Sequence, residues 1–486
     1  MRSPSGLQAS TVVRLLSLLA VGLLVVAGPP PNAQSTGGTP VSFGSDLKIS
    51  GVPSDPSGTL HVETFAAANP KDPKNAVAVY MDLYPTVMNT RPCSFSTTGN
   101  GGQSWTVQGD APLRTIPGLN ACSDPSIGAD DRGTFYMAYL DDNYQPATGV
   151  DDTDIRVARS SDKGKSFRAS SIAVNAGPAD YLDKPLLAVD GWAGSPSHGN
   201  VYVAYSNFTL QDQIFVVTSR DGGNSWSAPI LLDGPGGQAS LLIGSMPTVA
   251  PDGTVYIFWS RFPYYVPPMT IRFSKSTDGG ATWSGAADVA AGLPTPTDFY
   301  LKNADPEFGA TANHGIIGNS FPMGAVASDG KVYVTWTDFP NGTCRKSQST
   351  GPIQPCTNSD VRLTVSRDGG ATWSAPVKIS DETGSSDQFY PTLAAHSNGL
   401  VSIAWLDKRL DPANINYDVF YTNTYDGATF LPNVRVTTAS SITGLRQFLG
   451  DYNGMAATGN AVFPVWGDLR DNLSVQTYTA RGTFTP

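Results

Sequence analysis

One short pattern returns six times along this chain, and it constrains the fold more than any other feature. Its cleanest copies are Ser219-Arg-Asp221-Gly-Gly223-Asn-Ser225-Trp226, Ser276-Thr-Asp278-Gly-Gly280-Ala-Thr282-Trp283 and Ser366-Arg-Asp368-Gly-Gly370-Ala-Thr372-Trp373. Ser160 to Phe167 keeps Asp162 and Gly164, Thr98 to Trp105 carries Asn100 at the Asp position, and Thr424 to Phe430 lacks one residue after Asp426. The copies start 62, 59, 57, 90 and 58 residues apart. Such a period means a repeat architecture rather than a string of unrelated domains. Each copy reads as a hairpin turn. Asp or Asn accepts backbone N–H bonds, Gly supplies a positive φ, Ser or Thr bonds locally, and the aromatic plugs the turn into a core.

The flanking sequence fits that reading. A β-rich run precedes the boxes, as in Gln213 to Ser219 and Asp360 to Ser366, and another follows, as in Ala375 to Ser380. Upstream lies a turn Gly with an alternating strand, as in Gly199 to Tyr205, Gly253 to Trp259 and Gly399 to Trp405, and alternation marks half-buried strands. The box therefore joins the third and fourth strands of a four-stranded unit. The 50 Gly and 38 Pro suit many short strands joined by turns.

The pattern S-x-D-x-G-x-[ST]-[WF] resembles the Asp-box (BNR) repeat of the sialidase superfamily and other secreted β-propellers. The resemblance implies an all-β fold, a single β-propeller of four-stranded blades. Second-strand units number seven, because Gly133 to Tyr139, Gly330 to Trp336, Ala76 to Asp82 and Ala461 to Trp466 add to the three above. Seven blades are favoured, with six as the alternative. The last unit offers only three strands, and Asp46-Leu47-Lys48-Ile49-Ser50 echoes the fourth-strand segment Val377-Lys378-Ile379-Ser380, so the N-terminal strand is expected to close the ring.

Residues 1–33 place Arg2 and Arg14 ahead of the apolar run Leu15 to Ala27, followed by Pro29-Pro30-Pro31-Asn32-Ala33. This reads as a secretory signal peptide, with 34–486 as the propeller domain and no membrane span after cleavage. A secreted protein, extracellular or periplasmic, makes disulfides Cys93–Cys122 and Cys344–Cys356 the expected state of the four Cys. The net charge of −10 argues against nucleic acid as a partner. The four His lack metal spacing, and no phosphate loop or Gly-x-Ser-x-Gly elbow occurs, so neither a metal nor a cofactor is expected.

The boxes lie on one face of such a molecule. The other face collects polar second-strand ends, including Trp259-Ser-Arg261, Trp405-Leu-Asp407-Lys-Arg409 and Trp466-Gly-Asp468-Leu-Arg470. It also collects the first-strand starts Glu63, Asp124, Asp183, Tyr390, Asp451 and Tyr452. Insertions at about 291–318 and 338–358 overhang it. Sialidases grip a carboxylate with three Arg and use a Tyr–Glu nucleophile pair with an Asp acid/base. By that resemblance Arg261, Arg409 and Arg470 are the candidate substrate clamp, and Tyr452, Asp451 and Glu63 the candidate catalytic group. The family's Phe/Tyr-Arg-Ile-Pro motif is absent, Arg91-Pro92 being its nearest counterpart. The expected function is a secreted, monomeric sialidase-like glycoside hydrolase acting on an extracellular, anionic glycan or glycoprotein. The alternative is a non-catalytic propeller that binds a glycan or protein partner. In that alternative the Asp407–Arg409 and Asp468–Arg470 pairs pin neighbouring blades.

Overall fold

A computed structural model describes residues 37–484 except residue 54 and segments 84–89, 115–118, 146–149, 178–179, 210–211, 235–239, 264–267, 296–297, 303–315, 343–355, 444–447 and 472–473. The signal segment 1–33 and Cys344 lie outside the described residues, as do parts of both insertions. Among the described residues there is no helix.

Among the described residues seven antiparallel blades follow one another along the chain, and a two-stranded sheet of Asp298–Leu301 and Ile316–Asn319 stands beside them. Six are four-stranded meanders, spanning 60–110, 119–174, 182–233, 240–293, 323–378 and 388–435. The seventh is built from Gly454–Ala457, Ala461–Asp468 and Gln476–Thr479, and its fourth strand is Leu47–Lys48 from the N-terminus. Val41–Phe43 and Gly482–Phe484 add a further pair. The ring thus closes as the echo of residues 46–50 in 377–380 predicts. Asp46 fastens the join by accepting from Thr438 N at 2.9 Å and from Arg470 Nη1 at 2.5 Å.

The boxes are self-satisfied turns. In the third blade Asp221 accepts from the Ser219 hydroxyl at 2.8 Å, the Asn224 and Ser225 amides at 3.0 and 2.9 Å, and the Ser225 hydroxyl at 2.6 Å. Gly222 and Gly223 take φ of 69° and 82°, which a Cβ would resist. The Ser225 hydroxyl and amide hold the Asp221 carboxyl down at about 2, and Thr372 does the same for Asp368. Cations just before or after the box Ser then tie the second, third and fourth blades each to the next. Arg159 donates to Gly222 O at 3.2 Å, Arg220 to Gly279 O at 3.1 Å, and Lys275 to Gly369 O at 2.6 Å.

At the other end of each second strand stands a large aromatic: Tyr80, Tyr139, Tyr205, Trp259, Trp336, Trp405 or Trp466. All are at most 2 % exposed, so they are blade core. Burying each contributes about 1.5–3 kcal/mol. In five blades two first-strand residues oppose this one aromatic, which is a β-bulge, with register shifts at 62/65, 123/126, 183/186, 243/246 and 389/392. The second bulge residue is Pro at 125, 185 and 391, where no ladder bond needs a donor. The Cys93–Cys122 disulfide links the first and second blades. Cys356 is also disulfide-bonded.

Candidate functional site at the channel mouth

The bulges decide what faces the axis. Stepping two residues back from the partner of the residue before each aromatic gives Glu63, Asp124, Lys184, Gly244, Phe321, Tyr390 and Tyr452 as equivalent positions of the seven blades. Glu63, Asp124, Lys184 and Tyr390 all hold left-handed backbone, with φ of 54°, 49°, 51° and 49°. Each such non-Gly residue costs on the order of 1 kcal/mol, and Gly244 shows the unstrained solution at the same place. Four charged or aromatic residues kept where glycine would be cheaper make this ring the candidate site.

The charges converge on one ammonium. Lys184 Nζ lies 2.5 Å from Asp451, 3.0 Å from Asp124, 3.8 Å from Asp183 and 3.9 Å from Glu63, with the Phe321 ring centroid 5.7 Å away. Burial alone would depress this amine, but Asp124, Asp183, Asp451 and Glu63 outweigh it and hold its pKa well above the usual lysine value. Burial, reinforced by Asp124, drives the Glu63 carboxyl well above the carboxylate range. Burial also pushes Asp183 up to about 7, against the pull of Lys184. Tyr452 is raised by burial and then by Glu63, which places its hydroxyl in the field of that carboxyl. Glu63 Oε2 and Tyr452 Oη are buried without a hydrogen-bond partner. Asp183 and Asp451 keep 17 % and 22 % of their side chains exposed, so they present the cluster to solvent. Asn319, just past the first insertion, donates to Asp451 Oδ1 at 3.1 Å and to its carbonyl at 2.9 Å.

Glu63, Asp451 and Tyr452 are therefore brought together. The three arginines are not. Arg409 is held by Asp407 at 2.8 Å and Asp381 at 2.5 Å and covers Phe420, which links the sixth blade to the end of the fifth. Arg470 is held by Asp468 at 2.7 Å and by Asp46, and lies over Tyr478. Arg261 lies within the second strand of the fourth blade, Val255–Pro263, and its Nε reaches Ser240 Oγ at 3.4 Å. Sequence reasoning passed over Lys184 and Asn319. The signal for Lys184 was Asp183-Lys184-Pro185 itself, whose Pro aligns with Pro125 and Pro391 and so puts Lys184, not Asp183, at the ring position.

Chemically the mouth offers carboxyls of unlike proton affinity gathered around one ammonium. Among the described residues no group of three or more His, Cys, Asp or Glu is arranged for a metal ion.

Comparison with known proteins agrees with this architecture. A protein of unknown function from Dyadobacter fermentans superposes with a TM-score of 0.50 at 12% identity, covering 92% of this chain and 99% of its own. The GH93 α-L-arabinofuranosidase of Fusarium graminearum gives 0.48 at 12%, covering 75% and 92%, and the intramolecular trans-sialidase of Ruminococcus gnavus 0.45 at 11%, covering 70% and 89%. The first likeness shows the fold. No curated protein matches the chain. The BNR repeat-like domain matches residues 120–403, more than half of the sequence, so with its six boxes and seven blades the chain belongs to the BNR repeat-like family.

Proposed function

We propose that this protein is a secreted glycoside hydrolase that cleaves an extracellular glycan at the axial mouth, and that the sugar bound there carries no carboxylate. The observation that carries the reading is the ring of strained, charged first-strand residues around Lys184. Strain of this kind persists where the surroundings hold it for a purpose. Tyr452 and Glu63 supply the nucleophile pair: Glu63, whose raised carboxyl acts only in its ionised form, takes the hydroxyl proton as the phenolic oxygen bonds the anomeric carbon, so turnover should rise with pH as Glu63 ionises. Asp183, poised at about 7, gives its proton to the departing glycosidic oxygen. Water then reverses both transfers. Lys184 and Asp451 position the group.

The substrate's charge follows from the count. Four carboxyls face one ammonium, and Arg409 and Arg470 spend their guanidinium groups on Asp381, Asp407, Asp46 and Asp468. A sugar carboxylate would enter an already acidic mouth, and of the three candidate clamp arginines only Arg261 is without an ion pair among the described residues. A second reading, a propeller that binds without turnover, is favoured by the same two arginines, since they act between and along blades rather than at a ligand.

The test is a panel of fluorogenic glycosides, neutral, amino and carboxylated, given to wild type, Glu63→Gln and Tyr452→Phe. Turnover of neutral or amino glycosides, lost at least 100-fold in both variants, is expected. Turnover of sialosides alone would refute the substrate class. No turnover by folded protein would move the assignment to the binding reading.

A further inference from the structure

The box face, opposite the axial mouth, holds a cleft of about 390 Å3 between the second and third blades. Three arginines line it: Arg132 from the first turn of the second blade, Arg159 beside the box of that blade, and Arg220 within the next box. In a chain of net charge −10 this convergence is unusual, and the hydrogen-bond accounting makes it informative. The acids nearby are already satisfied. Asp130 accepts from the Arg132 and Thr134 amides at 2.9 and 2.8 Å and from the Tyr136 hydroxyl at 3.3 Å. Asp221 is filled by its own box, and Asp131 is taken by His198 Nε2 at 2.7 Å. The arginines are not. Arg159 and Arg220 each place one guanidinium N–H on a carbonyl, Gly222 O and Gly279 O. Arg132 makes no side-chain bond, and none of the three has an ion-pair partner among the described residues.

The floor between them is bare. Gly199 and Gly222 have φ of 84° and 69°, and a Cβ built on them would stand 3.9 Å from Arg132 Nη2 and 3.8 Å from Arg159 Nη1. Backbone without side chains leaves these guanidinium groups open to a ligand. Planar donor forks arranged around a pocket match an oxyanion, which several N–H groups can hold at once.

We propose that this cleft binds a tetrahedral oxyanion, a sulfate or phosphate monoester, separately from the axial site. Arg132 is the main recognition residue because all its donors are unspent, and Arg159 and Arg220 add to it from their interblade positions. An anionic polymer would thus be held on the box face while the axial mouth stays acidic.

The experiment is titration calorimetry of the full-length mature protein with inorganic sulfate, inorganic phosphate, dextran sulfate and uncharged dextran, at low and moderate salt. Dextran sulfate is expected to bind and dextran not to, with affinity falling as salt rises. Arg132→Ala should weaken binding at least tenfold, Arg132→Glu should abolish it, and Arg132→Lys should restore part. Thermal stability should be unchanged in all three, since the side chain holds nothing in place. Glu63→Gln should bind as wild type does, which separates this site from the axial one. Tighter binding of the polymer than of either inorganic ion upholds the site with a polymer-borne ester as ligand, and equal binding upholds it with the free anion. Absence of binding in every arm, or unchanged affinity in Arg132→Ala and Arg132→Glu, overturns it.

Discussion

Replacing Lys184 with Met keeps its volume and removes the one charge on which four carboxyls depend. Asp451 and Asp124 lose ammonium contacts at 2.5 and 3.0 Å, and Glu63 and Asp183 lose their nearest cation. Leaving buried charge without its partner costs about 3–5 kcal/mol. For a unit of roughly 450 residues, with an unfolding entropy of about 2 cal/mol/K per residue, that lowers Tm by about 3–5 °C. The loss should depend on pH in a set direction. The folded pKa of Asp183 is raised to about 7, against about 3.9 in the unfolded chain, so the folded state holds an extra proton between those values. The stability from this group is complete below about pH 4 and fades as pH rises through 7. Without Lys184 the cluster can relieve its repulsion only by taking protons, so the variant should be closer to wild type at pH 5 than at pH 8. Differential scanning calorimetry at the two pH values measures this. An equal deficit at both, or none at either, would refute the claim that Lys184 neutralises the ring.

Three further outcomes are expected. Gly450 has φ of 92°, and a Cβ there would fall 2.4 Å from Glu63 N, so Gly450→Ala should cost at least about 2 kcal/mol and displace Glu63; an unchanged melting curve would contradict this. The Cys93–Cys122 bridge spans 29 residues, so Cys93→Ala/Cys122→Ala should lose about 3–4 kcal/mol, read from chemical denaturation midpoints, and equal midpoints would count against its role. Deleting residues 37–50 removes the outer strand of the seventh blade and the Asp46 contacts to Arg470 and Thr438. The exposed strand edge should drive association, visible by size-exclusion chromatography, and a monodisperse, equally stable product would refute closure by this strand.

What the sequence made legible follows from locality. The boxes are legible because Asp221 and its partners lie within four residues of one another, so the motif contains its own hydrogen bonds. Closure by residues 46–50 was readable because the seventh unit lacked a strand and an echo of one stood elsewhere. Alternation made the second strands legible, and the aromatics at their ends prove to be core. Arg409 and Arg470 could be tied to Asp407 and Asp468 from i, i+2 spacing alone, but Asp381 and Asp46, the partners that bind them across strands, are distant in the chain. The axial cluster was half legible. Strand starts flagged Glu63, Asp451 and Tyr452, whereas Lys184 depended on a bulge that shifts the register between 183 and 186, and no two-residue alternation reports such a shift. Asn319 reaches Asp451 across 132 residues, a contact only the fold creates.

The central claim is that the ring around Lys184 receives a sugar rather than merely plugging the channel. It is tested most directly by a crystal structure of Glu63→Gln soaked with the best neutral glycoside or its oligosaccharide. The account predicts a sugar ring at the axial mouth, with hydroxyls on Asp183 and Asp451 and the anomeric carbon facing Tyr452. An empty mouth under saturating ligand, with the Lys184 contacts unchanged and the sugar bound elsewhere, would contradict it.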